Sequence, residues 1–359
     1  MERVIACPKA AFPDAPWFAP VPVRDATLPQ QNLDPALQKR PHLRVARPHK
    51  LVGNCRGAII VATMRNIVPI AVCLMTFALG AAAKPLSPEA VWKAGIVGEN
   101  KDYAQIPHAM LKIQDAAYLG EGQGAVLQGV PGQPASWHWN HDVRAQGVLS
   151  LFYSQGNLMV MQKGKPVTPA LIARSIAVDK DVDIAGQPTQ VGANVPGWRV
   201  FIYNQQAPAA KSFKGVAYFA YDKAFRLTAG FMPDAKLTPH VFRTSRGTDK
   251  MFYHAGDARF TLKGKAVTLP FYADGNRPGA IKDVTAFYTD GMTGNGAYGA
   301  GRYVDAEAFG KFPPSKVTID FNNAYNPNCA RSAFFTCPVA VDTIPVAMTA
   351  GERDPHSLH

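Results

Sequence analysis

From about residue 148 onward, the chain repeats one pattern: a short apolar or β-branched run, then a turn built on glycine. Residues 148–160 hold two such runs parted by Ser154-Gln155-Gly156-Asn157. Lys163-Gly164-Lys165 marks a second turn, and Trp198 to Tyr203 is another run. Further runs lie at 216–221, 225–231, 258–262, 266–273, 284–289, 298–304 and 317–321, with Lys263-Gly264-Lys265 joining two of them. Many short strands at near-regular spacing with tight turns fit antiparallel sheets and little else. The expected fold class is therefore mainly β: one or two antiparallel β-sandwich or barrel-like subdomains with a short N-terminal helical segment. That segment is read at Pro88 to Lys93, capped by Ser87 and ended by Gly95, with a second helix expected over 103–118. A looser Gln/Ala/Pro stretch at 204–210 divides a β-rich subdomain, 84–205, from a second one, 211–352.

The first quarter of the 359 residues reads differently. Residues 1–63 are rich in Pro, Arg, His and Gln and have neither helical nor strand periodicity, so they cannot bury enough apolar surface to offset ordering entropy. They read as a disordered leader or as sequence upstream of the true start. A basic Met64-Arg65-Asn66, an apolar run from Ile67 to Leu79, and small residues at Ala81 and Ala83 then follow. This is the three-part layout of a secretory signal peptide over 64–83, and its apolar run is too short for a spanning anchor. The expectation is a periplasmic or secreted protein with no permanent membrane anchor after cleavage.

Charge bears on the choice of partner. The formal net charge is +12, but residues 1–83 hold 10 of the 38 Lys+Arg and 4 of the 26 Asp+Glu, leaving 28 basic against 22 acidic residues, +6. That surplus is spread along the chain without clustered Lys/Arg and interleaved aromatics, so no nucleic-acid partner is expected. Of the five cysteines, only Cys329 and Cys337 lie beyond the signal. A close pair in an oxidising compartment reads as a disulfide, Pro327 and Pro338 stiffening its flanks. The rival readings are a reduced metal-binding pair and two buried thiols.

The C-terminal third carries Gly299-Ala300-Gly301-Arg302-Tyr303, then Asp320-Phe321-Asn322-Asn323-Ala324-Tyr325-Asn326-Pro327-Asn328-Cys329, Thr336-Cys337-Pro338, Ile344-Pro345-Val346-Ala347 and Ala350-Gly351-Glu352. Together with Phe213-Lys214-Gly215, Phe219, Asp222 and Arg226, this wording resembles the bacterial DUF1684 family over about residues 211–352. The resemblance implies a neighbourhood in sequence space and brings no established activity.

Within the motif, Val317 to Phe321 alternates, placing Asp320 opposite Ile319 and Phe321. Asn322, Asn326 and Tyr325 add amides and a phenol, and with Arg302 and Glu352 they make a candidate set for a small polar ligand or an envelope component. The competing reading is a set of turn caps and loop braces. A hydrolase or transferase using Asp320, Glu352 and Tyr325 is a second reading, and a structural partner-binding module a third. Trp137-His138-Trp139-Asn140-His141-Asp142 could offer two metal ligands on a helix, but an exposed turn anchored by tryptophans is favoured, and no metal is assigned. No Gly-x-Ser-x-Gly or Ser-x-x-Lys nucleophile context occurs beyond residue 83. Cofactors and catalytic residues stay unassigned.

Overall fold

Ser87, Pro88 and Glu89 start the first helix for the reasons their types suggest. The Ser87 hydroxyl accepts the Ala90 N–H at 3.2 Å, Pro88 loses no hydrogen bond at the first position, and Glu89 sits near the positive helix end. In the computed structural model, which describes residues 86–308 and 312–356, this helix (α1, Pro88–Ala104) runs on through Gly95. Glycine costs about 1 kcal/mol within a helix, and tertiary anchors on α1 offset it. The Trp92 indole donates to the Asn322 carbonyl at 2.8 Å, and Tyr103 is buried.

The helix expected over 103–118 is not found. After a single 3₁₀ turn at Met110–Lys112 the chain enters β1 (Ile113–Leu119). A bulge between Ile113 and Asp115 breaks the two-residue alternation, which is why the apolar spacing there resembles that of a helix.

Two antiparallel sheets follow. One runs in the order β1, β9 (Val195–Asn204), β8 (Val182–Gly192), β7 (Ile176–Asp179). The other runs β3 (His138–Asn140), β2 (Gln123–Gln128), β4 (Leu149–Ser154), β5 (Asn157–Gln162), β6 (Lys165–Val167). Leu119, Ile184, Val200 and Ile202 from the first sheet share one core with Leu127, Trp139, Leu151 and Val160 from the second, so the pair is a sandwich. The Trp137-to-Asp142 segment contributes a strand, β3, with both tryptophans buried.

Residues beyond 225 build a ring. β10 (Arg226–Arg243), β11 (Asp249–Leu262) and β12 (Lys265–Ala273) form one meander. β13 (Asp283–Asp290), β14 (Arg302–Ala308) and β15 (Lys316–Asp320) form another. β10 pairs with β15, and β12 meets β13 through Tyr272 and Thr285, so six strands close on themselves. β16 (Asp342–Ile344) adds to β13 in parallel. Val284, Ala286 and Tyr288 face the interior of the ring with Leu269, Phe271, Val304 and Ile319. Phe287 points the other way, into an outer aromatic layer with Phe242, Tyr272 and Tyr303. The strand expected at 216–221 is reduced to a bridge between Tyr218 and Glu352.

Sandwich and ring meet along a third cluster. On β9, Val200 and Ile202 face the sandwich core while Phe201 and Tyr203 turn outward to Tyr103, Phe335 and Cys337. Gln190 of β8 clamps β11: its amide donates to the Met251 carbonyl at 2.9 Å and accepts the Met251 N–H at 3.0 Å.

Candidate functional site

Arg302 opens β14 with its guanidinium fully buried. It donates to Asp290 at 2.7 Å, to the Met348 carbonyl at 3.2 Å, and to the carbonyls of Ala350 and Glu352. Phe219 and Tyr288 lie against its faces. The planar fork thus gathers the chain end from 348 to 352 onto the ring. Glu352 is also buried; its carboxylate accepts the Asn326 N–H at 2.6 Å and pairs with Arg331. The Asn326 amide reaches the Arg353 carbonyl at 2.8 Å.

Asp320 stands elsewhere. It ends β15, accepts the backbone and amide N–H groups of Asn322 at 3.1 and 2.9 Å, and pairs with Arg226 at 3.1 Å. Asn322 spans from there to Asp222, donating to its carbonyl and accepting its N–H, both at 2.9 Å. Arg302, Glu352 and Asn326 therefore share one buried network, and Asp320 with Asn322 forms a second, tied to Arg226.

Tyr325 leads to a third place. Its backbone pairs with Tyr303 in both directions at 2.9 Å, which sets its phenol beside the outer aromatic layer. There the Tyr325 hydroxyl donates to Asp305 at 3.2 Å, and the Thr285 hydroxyl donates to the same carboxylate oxygen at 2.6 Å. These groups line a cavity of about 240 Å³ on the outer face of β11–β14, closed on one side by Thr189 and Gln190 of β8. Phe252, Tyr272, Phe287 and Tyr303 supply its apolar wall, with Tyr272 and Phe287 stacked at 5.9 Å and Phe287 edge-on to Tyr303 at 4.6 Å. Lys250 also lines it, donating to the Thr336 carbonyl at 3.1 Å. Burial, and then the nearby Arg199, pull its amine down to about 8.

Cys337 forms part of the same lining, and Cys329 stands next to it. Both are free thiols here, the Cys329 N–H donating to the Cys337 sulfur at 3.3 Å. Cys337 is buried and Cys329 partly exposed. No cluster of His, Cys, Asp or Glu that could hold a metal ion is found among the described residues, nor any helix long and apolar enough to cross a membrane. The signal-peptide reading falls on residues 64–83, outside the described residues.

Residues 211–353 match the family model described as "Protein of unknown function (DUF1684)". This C-terminal stretch is a DUF1684 domain. All six candidate ligand residues, both cysteines, and the cavity lining apart from Thr189 and Gln190 lie within it. No curated protein matches the chain. Among solved structures, it is similar to an uncharacterized protein of Haloarcula marismortui determined by NMR. That likeness is at 28% identity, covers 40% of this chain and 79% of that one, and has a TM-score of 0.35.

Several residues of this geometry carry no mark in the sequence. Asp290 precedes Gly291 and reads as a turn residue; Thr285 and Lys250 sit inside ordinary strand patterns. Only the alternation of β13 signals that Asp283, Thr285 and Phe287 share a face.

Proposed function

We propose that the chain is an exported binding protein whose DUF1684 domain takes a small polar ligand into the cavity beside Tyr325. The observation that carries this reading is the Asp305 carboxylate, held by the Thr285 and Tyr325 hydroxyls at the edge of an aromatic wall. Polar groups placed against an aromatic wall in a concavity can fix the orientation of a small molecule. The lining carries three carboxylates, Asp274, Asp283 and Asp305, against one amine, Lys250. That balance, with the aromatic faces, favours a ligand bearing a positive charge.

In this reading Arg302, Asn326 and Glu352 hold the frame, Asp320 and Asn322 fasten β15, and Tyr325 touches ligand. A hydrolase or transferase working through Asp320, Glu352 and Tyr325 would need both carboxylates released from Arg226 and Arg331, so binding is the better-supported reading. The Cys329–Cys337 disulfide belongs to the same proposal, as the form taken in an oxidising compartment.

Thermal unfolding of the full chain with tetramethylammonium, an alkylguanidinium salt and a neutral polyol of matching size tests the reading. A ligand that binds only the folded state raises the midpoint. The expected result is a concentration-dependent rise with at least one cation, abolished by Asp305→Asn, and none with the polyol. No rise with any probe, or a rise indifferent to Asp305→Asn, would overturn it.

A further inference from the structure

The two cysteines differ in a way a static crosslink does not require. Cys337 is buried in the cavity wall, whereas Cys329 is partly exposed. They are separated by a loop containing Arg331, which holds Glu352 from the other side. The Cys337 backbone is fastened to the turn after β10: the Ser245 N–H donates to the Cys337 carbonyl at 2.8 Å, and the Cys337 N–H to the Ser245 hydroxyl at 3.2 Å. Cys329 is the middle residue of the short 3₁₀ turn Asn328–Ala330, which Pro327 precedes. One thiol is thus presented and the other held behind it, in reach.

We propose that Cys329 and Cys337 form a reversible thiol–disulfide exchange site, with Cys329 as the attacking sulfur, Cys337 as the resolving sulfur, and a small-molecule or protein disulfide as the oxidant. The proposal takes the pairing put forward above and adds its reactivity; it does not depend on what the cavity binds.

The chemistry balances as a two-electron exchange. The Cys329 thiolate attacks one sulfur of the donor disulfide, the donor S–S bond breaks, and the first donor thiolate leaves and takes up the proton that Cys329 lost. Cys337 then gives up its proton and attacks the Cys329 sulfur of the mixed disulfide, expelling the second donor thiolate, which takes that proton. The protein gains one S–S bond and the donor leaves as two thiols.

The surroundings suit this division of labour. A hydrogen bond from Cys337, with further ones from Ser245 and Tyr298, brings the Cys329 thiol down to about 6. Its neighbour, hydrogen-bonded to that thiolate and buried, is pushed up. A thiol is nucleophilic only as its thiolate, so one sulfur of the pair is ready at neutral pH and the other waits. Oxidation would tie the turn after Tyr325 to the strap carrying Cys337 and Pro338, both of which line the cavity.

The sequence supplies a direct readout, because Arg331 lies between the cysteines and trypsin places each in its own peptide, 317–331 and 332–353. The reduced full chain is treated with oxidised glutathione, digested without reduction and mapped by mass. The expected product is the two peptides joined, reverting on addition of dithiothreitol under native conditions. Cys337→Ser should trap glutathione on Cys329, while Cys329→Ser should leave Cys337 unmodified over the same time. At pH 6.5, iodoacetamide should label Cys329 in the folded, reduced wild-type chain about five-fold faster than in the urea-unfolded one, read on the 317–331 peptide, the gain in thiolate outweighing the loss of intrinsic nucleophilicity. Glutathione on Cys337 in the Cys329→Ser chain, no adduct on Cys329 in the Cys337→Ser chain, or a joined pair that resists dithiothreitol while folded would each overturn the proposal.

Discussion

Arg302 and Asp290 are both wholly buried, and their pairing at 2.7 Å puts two full charges in the ring wall. Such a pair stabilises little over an apolar substitute, but losing one member strands the other. Asp290→Ala should therefore cost about 3–5 kcal/mol of stability, read as a lowered urea midpoint for the full chain. The residue types of this network were visible in the sequence: Arg302, Glu352 and Asn326 stand out as polar groups in a motif of unusual wording. Their partners were not, since Asp290 and Arg331 reach them only through the fold. Tyr325 shows the same limit from the other side. Its neighbours in the motif, Asn322 and Asn326, turn to backbone groups, while its own phenol is carried to Asp305 by a backbone pairing with Tyr303.

At the level of elements, β14 depends on how the chain enters it. Gly301 has φ +89, and a β-carbon there would lie 2.5 Å from that of Ala340 and 2.7 Å from the Tyr288 carbonyl oxygen. Neither backbone nor packing can absorb it, so Gly301→Ala should destabilise by about 2 kcal/mol or more, measured by chemical unfolding. Much of the strand series from β4 to β15, apart from β7 and β8 and parts of β10 and β11, was legible because its turns announce themselves: Gln155-Gly156, Lys163-Gly164 and Lys263-Gly264 all adopt positive φ, which glycine tolerates readily. β1 was illegible for a local reason, the bulge at its start, and the length of α1 for a distant one, the docking of Trp92 on Asn322. The bridge at Tyr218 replaced an expected strand because its neighbour there is the chain end at Glu352, with no sheet edge to join.

At the level of the whole molecule, a mainly β architecture of antiparallel sheets was foreseen, while the face that sandwich and ring share was not. Phe201, Tyr203 and Gln190 turn outward from their sheet, and what they meet there is set by the fold. The export proposal also belongs to this scale, and it rests on the layout of 64–83. A chain beginning at Met64 and expressed in a bacterium should appear outside the cytoplasm, cut after Ala83, as read by N-terminal sequencing. Replacing Ala81 and Ala83 by bulky residues should leave an uncut, membrane-held precursor. Full-length material accumulating in the cytoplasm would refute export.

The ring closes by two joints of different kinds. Tyr272 and Thr285 are 13 residues apart in sequence and make the only register pair between β12 and β13. Arg226 and Asp320, 94 residues apart, begin a five-pair ladder between β10 and β15. The loop entropy of the second joint is the larger, and it must be met before its ladder is complete. Each three-strand meander is held by hairpin contacts near in sequence, so both can form early. The barrier to folding then lies in their meeting at β10 and β15, a late, non-local event of the kind that makes β-rich chains fold slowly.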